Sequence, residues 1–303
     1  MSTATAYQPT PAHQLRDTTS TRVETSLQNE VSPNGPVEAE LAFYDPPKDG
    51  SKPYNYAGAW ADNPPEGIPR NFGIDSHKVI IHDIRRHESE FNMDENAFEA
   101  HSNIPSKMSY EDWNDDSVIE KIYYPEVEKL LLEKIPGSKR IFLFDQTIRR
   151  PGTSRAPVQR VHIDQTAQST AARVRHHLPD EADKLLQGRY RIINIWRPLN
   201  GTVLQNPLAV ADSATVRDED LIGVEHRYPD RTGETAAVKF NEGQKWCYWS
   251  GMGNEDRLFL KCFDSDATVG GKGRVPHTAF EDPRTPAGAK GRESIEVRAL
   301  VFG

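Results

Sequence analysis

Apolar residues along this chain gather into short β-branched and aromatic runs separated by Gly, Pro, Asn and Asp, a pattern that predicts many short strands. Such runs cover Glu38 to Tyr44, Lys78 to Ile84, Arg140 to Asp145, Arg189 to Leu199, Leu204 to Val210, Leu221 to Tyr228, Ala236 to Phe240, Gln244 to Trp249, Leu258 to Asp264 and Arg292 to Phe302. One stretch has another period. From Asp116 to about Lys134, apolar residues fall at Ile119, Ile122, Tyr123, Val127, Leu130 and Leu131, a three-and-four spacing that predicts an amphipathic helix ended by Pro136-Gly137. Thr166 to Gln187 is polar and helix-like, split into two pieces at His176-His177-Leu178-Pro179. Many strands with one or two covering helices predict a mainly β protein with flanking helices, a double-stranded β-helix or jelly roll.

Residues 1 to 38 carry Thr, Ser, Gln, Pro and Asn with little apolar content, so they are expected to stay mobile. Pro46 to Pro69 reads as an irregular arm held down by Tyr54, Tyr56 and Trp60. The remaining residues, 39–303 of a 303-residue chain, suit a single domain. A formal net charge of −8 offers no basic field for nucleic acid or an anionic membrane, so a small-molecule substrate is the expected partner. Only Cys247 and Cys262 occur, with no CxxC pair, which argues against a disulfide scaffold and for a reducing, cytoplasmic setting. No apolar run approaches the roughly 18 residues of a membrane span. Oligomeric state leaves no mark in the sequence.

Within Arg160-Val161-His162-Ile163-Asp164-Gln165-Thr166, read as an extended segment, His162 and Asp164 point to one face about 6 to 7 Å apart along the backbone. Such a pair alone is commonly a surface ion pair. A second stretch, Pro276-His277-Thr278-Ala279-Phe280, supplies another imidazole. Two histidines and a carboxylate form the facial triad of non-haem ferrous sites, which leaves positions open for a cosubstrate and O₂, so His162, Asp164 and His277 are the expected metal ligands and catalytic centre. His226, nearer Asp164 in sequence, is the rival third ligand. His82, His87 and His101 read as ordinary histidines, and adjacent residues such as His176 and His177 point about 100° apart on a helix, so they read as a solvated pair.

Neutral imidazoles with one carboxylate leave a divalent ion net positive, which favours an anionic chelating cosubstrate such as 2-oxoglutarate. Its far carboxylate needs a cation inside the barrel, and a guanidinium beside a hydroxyl meets that need. Arg292 and Ser294 share one face of the last strand and are the expected cosubstrate contacts, with Arg298 on the same face as the alternative. The plainer reading of Arg292 is an ion pair with Glu293 or Asp282. On the strand around Ile195, Asn194 and Trp196 share one face and Arg197 the other. These three are the candidate substrate contacts, because a buried Arg197 must find an anion, from substrate or from a structural acid.

His162-x-Asp164, His277 and Arg292-x-Ser294 resemble the motif set of Fe(II)/2-oxoglutarate-dependent oxygenases. More narrowly, Asn194-Ile195-Trp196-Arg197-Pro198-Leu199, Phe263-Asp264-Ser265, Pro276 to Phe280 and Arg292 to Phe302 resemble the fungal hydroxylase/desaturase group that includes gibberellin desaturase and AsaB-like enzymes, over a span from about Leu41 to the C-terminus. The resemblance implies decarboxylation of 2-oxoglutarate to succinate by O₂ and Fe(II), coupled to hydroxylation, desaturation or ring closure of a small molecule in secondary metabolism. The residues themselves leave two other readings open: a metal-dependent cupin-like isomerase or hydrolase that uses no 2-oxoglutarate, and a non-catalytic small-molecule binding barrel.

Overall fold

The runs of β-branched and aromatic residues pair into two sheets in the computed structural model, which describes residues 32–303. In chain order the strands are β1 (Val37–Asp45), β2 (Tyr54–Tyr56), β3 (Gly73–Asp83), β4 (Phe98–His101), β5 (Arg140–Arg149), β6 (His162–Ile163) and β7 (Tyr190–Pro198). They continue with β8 (Leu208–Ala211), β9 (Leu221–Arg227), β10 (Thr232–Val238), β11 (Trp246–Tyr248), β12 (Arg257–Asp264), β13 (His277–Ala279) and β14 (Ser294–Phe302). The larger sheet runs β1-β3-β11-β8-β13-β6-β10-β9-β2 and the smaller β4-β12-β7-β14-β5. Ala42 of β1 also bridges to Arg160, just before β6, so the free edge of β1 turns back toward the strand that carries His162.

The two sheets face one another across a core to which Phe43, Ile81 and Trp246 of the larger and Ile192, Leu300 and Phe302 of the smaller contribute. This is the jelly-roll architecture that the strand pattern predicts. On β7 and β14 the alternate residues Ile193, Ile195, Ile295, Val297, Ala299 and Val301 leave that core and pack outward. What covers them is the predicted helix, built as α1 (Asp116–Val118), a π-helical turn (Ile119–Tyr123) and α2 (Tyr124–Lys134). Asp115 caps its start by accepting from the backbone N–H groups of Ser117 and Val118. Its buried residues include Ile119, Tyr123, Val127 and Leu131, each four apart, and the wider i→i+5 turn keeps that four-residue row nearer the sheet than an uninterrupted α-helix would. At its end Gly137 takes φ +74°, a left-handed conformation that favours glycine, just after Pro136.

Several expectations shift. The strand read through Arg160 to Thr166 is only β6, two residues long, because Thr166 already caps α3 (Ala167–His177) by accepting from the Ser169 N–H. Asp164 therefore lies on the turn that links strand to helix. Likewise β14 begins at Ser294, which leaves Arg292 on the approach to the strand. The second helical piece is α4 (Ala182–Leu185), and Leu204 to Val210 is reduced to β8. Tyr54, Tyr56 and Trp60 do hold the irregular arm, with ring centroids 5.3 and 5.6 Å apart. The expected mobile segment lies outside the described residues as far as residue 31, and its end at residue 38 falls inside β1. Among the described residues no helix is long and apolar enough to cross a membrane.

Leu131 is fully buried under the smaller sheet and its neighbour Leu132 is 43% exposed. Leu131→Ala should cost about 2–5 kcal/mol of stability, and Leu132→Ala no more than about 0.5 kcal/mol, in denaturant unfolding; equal losses would contradict the packing of this helix.

Candidate metal centre

Register brings the two histidines together. β13 pairs antiparallel with β6 so that His277 stands directly opposite His162, and their ring centroids lie 4.5 Å apart. Asp164 follows two residues on, with its Oδ1 3.4 Å from His162 Nε2. One ligand atom from each of His162, Asp164 and His277 lies within 4.8 Å of the others. Adjacent ligands on an ion with bonds near 2.1 Å stand about 3 Å apart, so small side-chain rotations suffice to close this set on a metal.

The surrounding bonds prepare each donor. His162 Nδ1 lies 2.7 Å from the Arg160 carbonyl and His277 Nδ1 3.1 Å from that of Val275. A ring N–H spent on a carbonyl leaves Nε2 with its lone pair toward the other ligands. Burial, with His162 alongside, pushes the His277 pKa down to about 4, so the ring is neutral near pH 7. Burial opposes the charge of Asp164, yet Arg298 and the two histidines hold its carboxyl well below the usual range. Its Oδ2 accepts from Asn194 Nδ2 at 2.8 Å and Arg298 Nε at 3.1 Å, which reserves Oδ1 for an ion. Two imidazole nitrogens and one carboxylate oxygen, braced from behind, suit Fe(II).

Arg298 spends four of its five N–H donors on protein partners. Besides Asp164 it donates to Asp145 Oδ2 at 2.9 Å, Thr147 Oγ1 at 2.9 Å and Glu296 Oε1 at 2.6 Å. Arg292 is the opposite case. Only 2% exposed, it stacks over the Trp196 ring at 5.1 Å and donates to the Asn206 carbonyl, while its Nε has no partner. Ser294 Oγ is likewise buried and without a partner. Neither acid considered for Arg292 reaches it, because Glu293 takes Arg150 at 2.9 Å and Asp282 takes Arg284 at 2.7 Å. A buried guanidinium beside an unused hydroxyl is a costly arrangement that a carboxylate ligand relieves, which is the fit required of 2-oxoglutarate.

Of the candidate substrate contacts, Asn194 and Trp196 sit on the inner side of β7, and Asn194 bonds the metal-facing carboxylate. Arg197, expected at the substrate, instead points outward, 4.9 Å over Trp113 and 5.4 Å from Tyr123, because strand alternation puts it with Ile193 and Ile195 under the helix. Its charge is met by aromatic faces instead of an acid. His226 stays close, yet its Nε2 bonds Thr235 Oγ1 at 2.8 Å and it does not join the three ligands. His177, expected in solvent, is half-buried against Phe142 and Phe144.

A cavity of about 650 Å³ opens on Asp164 between α3 and the β9–β10 hairpin, with Gln165, Arg173, His226 and Tyr228 among its walls. A larger groove of about 850 Å³ beside α2 includes none of the three ligands. Nothing in the sequence marks this pocket, since Arg173 and Tyr228 lie in polar stretches without a telling spacing. Glu296, also absent from the expected site, does carry a signal, as a third polar residue alternating with Ser294 and Arg298.

The family model described as oxidoreductase/YMDC permease-like domain matches residues 41–302. Hydroxylase/desaturase poxK of Penicillium oxalicum is 35% identical over 89% of this chain and 92% of its own length. Fe(II)/2-oxoglutarate-dependent dioxygenase nvfI of Aspergillus novofumigatus is 33% identical over 77% of this chain and 86% of its own. The solved structure of the iron and alpha-ketoglutarate-dependent endoperoxidase NvfI superposes with a TM-score of 0.79 at 28% identity, covering 89% of this chain and 99% of that one.

The Asn194 bond to Asp164 carries a direct expectation. Asn194→Ala should weaken Mn(II) binding, with Mn(II) as the redox-inert stand-in, roughly 10–100-fold by titration, and unchanged affinity would remove Asn194 from the centre.

Proposed function

This chain belongs to the fungal Fe(II)/2-oxoglutarate-dependent hydroxylase/desaturase family, and on that premise we propose that His162, Asp164 and His277 are its iron ligands and that Arg292 with Ser294 receives the far carboxylate of 2-oxoglutarate. It is an oxidoreductase, a dioxygenase that uses Fe(II), 2-oxoglutarate and O₂. Residues 39–303 are proposed as the single catalytic domain, acting on a small molecule of secondary metabolism. Iron held by His162, Asp164 and His277 would supply the oxidising chemistry that couples decarboxylation of 2-oxoglutarate to succinate with oxidation of a C–H bond of that small molecule.

The observation that carries the reading is the pairing of two incomplete sites on the inner side of one barrel. His162, His277 and Asp164 converge with their free atoms together, while Arg292 and Ser294 wait with unspent donors. The first calls for a cation and the second for an anion. 2-Oxoglutarate answers both, since its 2-oxo acid end chelates a metal and its other end is a carboxylate. A metal-dependent isomerase that uses no 2-oxoglutarate leaves the unused Arg292 Nε and Ser294 Oγ without a ligand to receive. In this arrangement Asp164 lends the ion one negative charge, and Arg298 and Asn194 keep the second carboxylate oxygen turned away. The pocket between α3 and the hairpin holds the substrate, and where its target C–H bond falls relative to the iron decides between hydroxylation, desaturation and ring closure.

Succinate release from 2-oxoglutarate alone tests the reading without a known substrate. It should require added Fe(II) and fall at least about tenfold in His277→Ala and in Asp164→Ala. Arg292→Leu should mainly raise the KM for 2-oxoglutarate, by about tenfold or more, with a smaller change in kcat. Undiminished release without iron, or from Asp164→Ala, would reject the site.

A further inference from the structure

Among the described residues, the substrate pocket contains one cation that has no ion pair. Its acids all have partners: Glu225 pairs with Lys52 at 2.8 Å and with Arg227 at 3.0 Å, Asp230 with Arg231 at 3.3 Å, and Glu234 accepts from the Thr166 hydroxyl. Asp164 is held by Arg298. Arg173, on the face of α3 that lines the pocket, has neither an ion pair nor a hydrogen bond among the described residues. It is half-buried, with its guanidinium 5.4 Å over the Phe144 ring. Burial pushes its pKa down, and Asp145, the nearest acid by its effect, is already bonded to Arg298.

On the strength of the function proposed above, we infer that the substrate carries a carboxylate and that Arg173 binds it, which fixes the substrate's orientation in front of Asp164. A partly desolvated guanidinium gains most from a planar singly charged anion that takes two of its N–H donors. A doubly charged phosphate would exceed the one unanswered cation in a wall that also presents Glu225, Asp230 and Glu234. Beside the charge, the Tyr228 ring, itself stacked under Arg231 at 4.0 Å, offers an aromatic wall for the body of the molecule. Arg173 is thus a specificity-determining contact at the entrance, separate from Arg292, which lies before β14 on the smaller sheet and serves the cosubstrate.

The test uses 3-phenylpropanoate and its methyl ester as probes on the anaerobic protein loaded with Fe(II) and 2-oxoglutarate. The visible charge-transfer band of iron-chelated 2-oxoglutarate is recorded first and then titrated with each probe, and thermal midpoints of the metal-free protein are followed in parallel. The acid should perturb the band and raise the midpoint at concentrations about tenfold or more below those the ester needs. Arg173→Gln should abolish that preference, and Arg173→Lys, which keeps the charge but loses the planar fork, should retain only part of it. Equal binding of acid and ester, an undiminished preference in Arg173→Gln, or no response to the acid at millimolar concentration overturns the inference. A wild-type protein with no band at all would instead reject the iron and 2-oxoglutarate reading, while the melting comparison still decides the role of Arg173.

Discussion

One backbone register holds the centre together. His277 meets His162 because β13 pairs with β6 at that single position, and a slip of one residue would turn either imidazole to the opposite face of the sheet. β6 is only two residues long, so its register must be fixed from outside. Its other edge is supplied by β10, where Ala236 and Ala237 face Ile163 and His162, and β13 is fixed by β8 through three further pairings. The two candidate histidine ligands are therefore placed by neighbours that carry no chemistry of their own.

The charges around that register are unevenly shared. The half-buried Asp164 and the buried Glu296 are two acids that meet one half-buried guanidinium, Arg298, and burial together with Asp164 pushes the Glu296 pKa up to about 7. Removing Arg298 would take from both acids the guanidinium they are bonded to, a costly loss for two acids so little exposed. Arg292 sits in the reverse condition, a buried cation with no acid of its own. The protein's own electrostatics thus carry an excess of acid at one place and an unanswered cation at the other, the two conditions on which the proposed metal and carboxylate sites rest.

Much of this was legible in the sequence because it depends on local period. β7 and β14 show their two faces by alternation, which correctly separates Asn194 and Trp196 from Arg197 and groups Ser294 with Arg298. What each face packs against is decided by tertiary structure, and for that reason the purpose of Arg197 could not be read: its partners Trp113 and Tyr123 lie over seventy positions away. The same limit hid the surroundings of Arg298 and Arg173. A charged residue declares its type in the sequence, whereas the presence or absence of a partner is a property of the folded chain. Short elements were misjudged for a different reason, since Thr166 ends β6 through a helix cap that competes with the extended conformation.

The turn from β6 into α3 has a further consequence. Asp164 and the cap residue Thr166 are two positions apart, so the helix that walls the pocket is anchored to the same short segment as the metal-facing carboxylate. The scaffold end of that helix cannot change without disturbing the reaction, but its exposed turns toward His176 have no such tie. Substitution at the exposed Ala172 or His176 can therefore reshape the pocket wall while leaving the three candidate ligands in place.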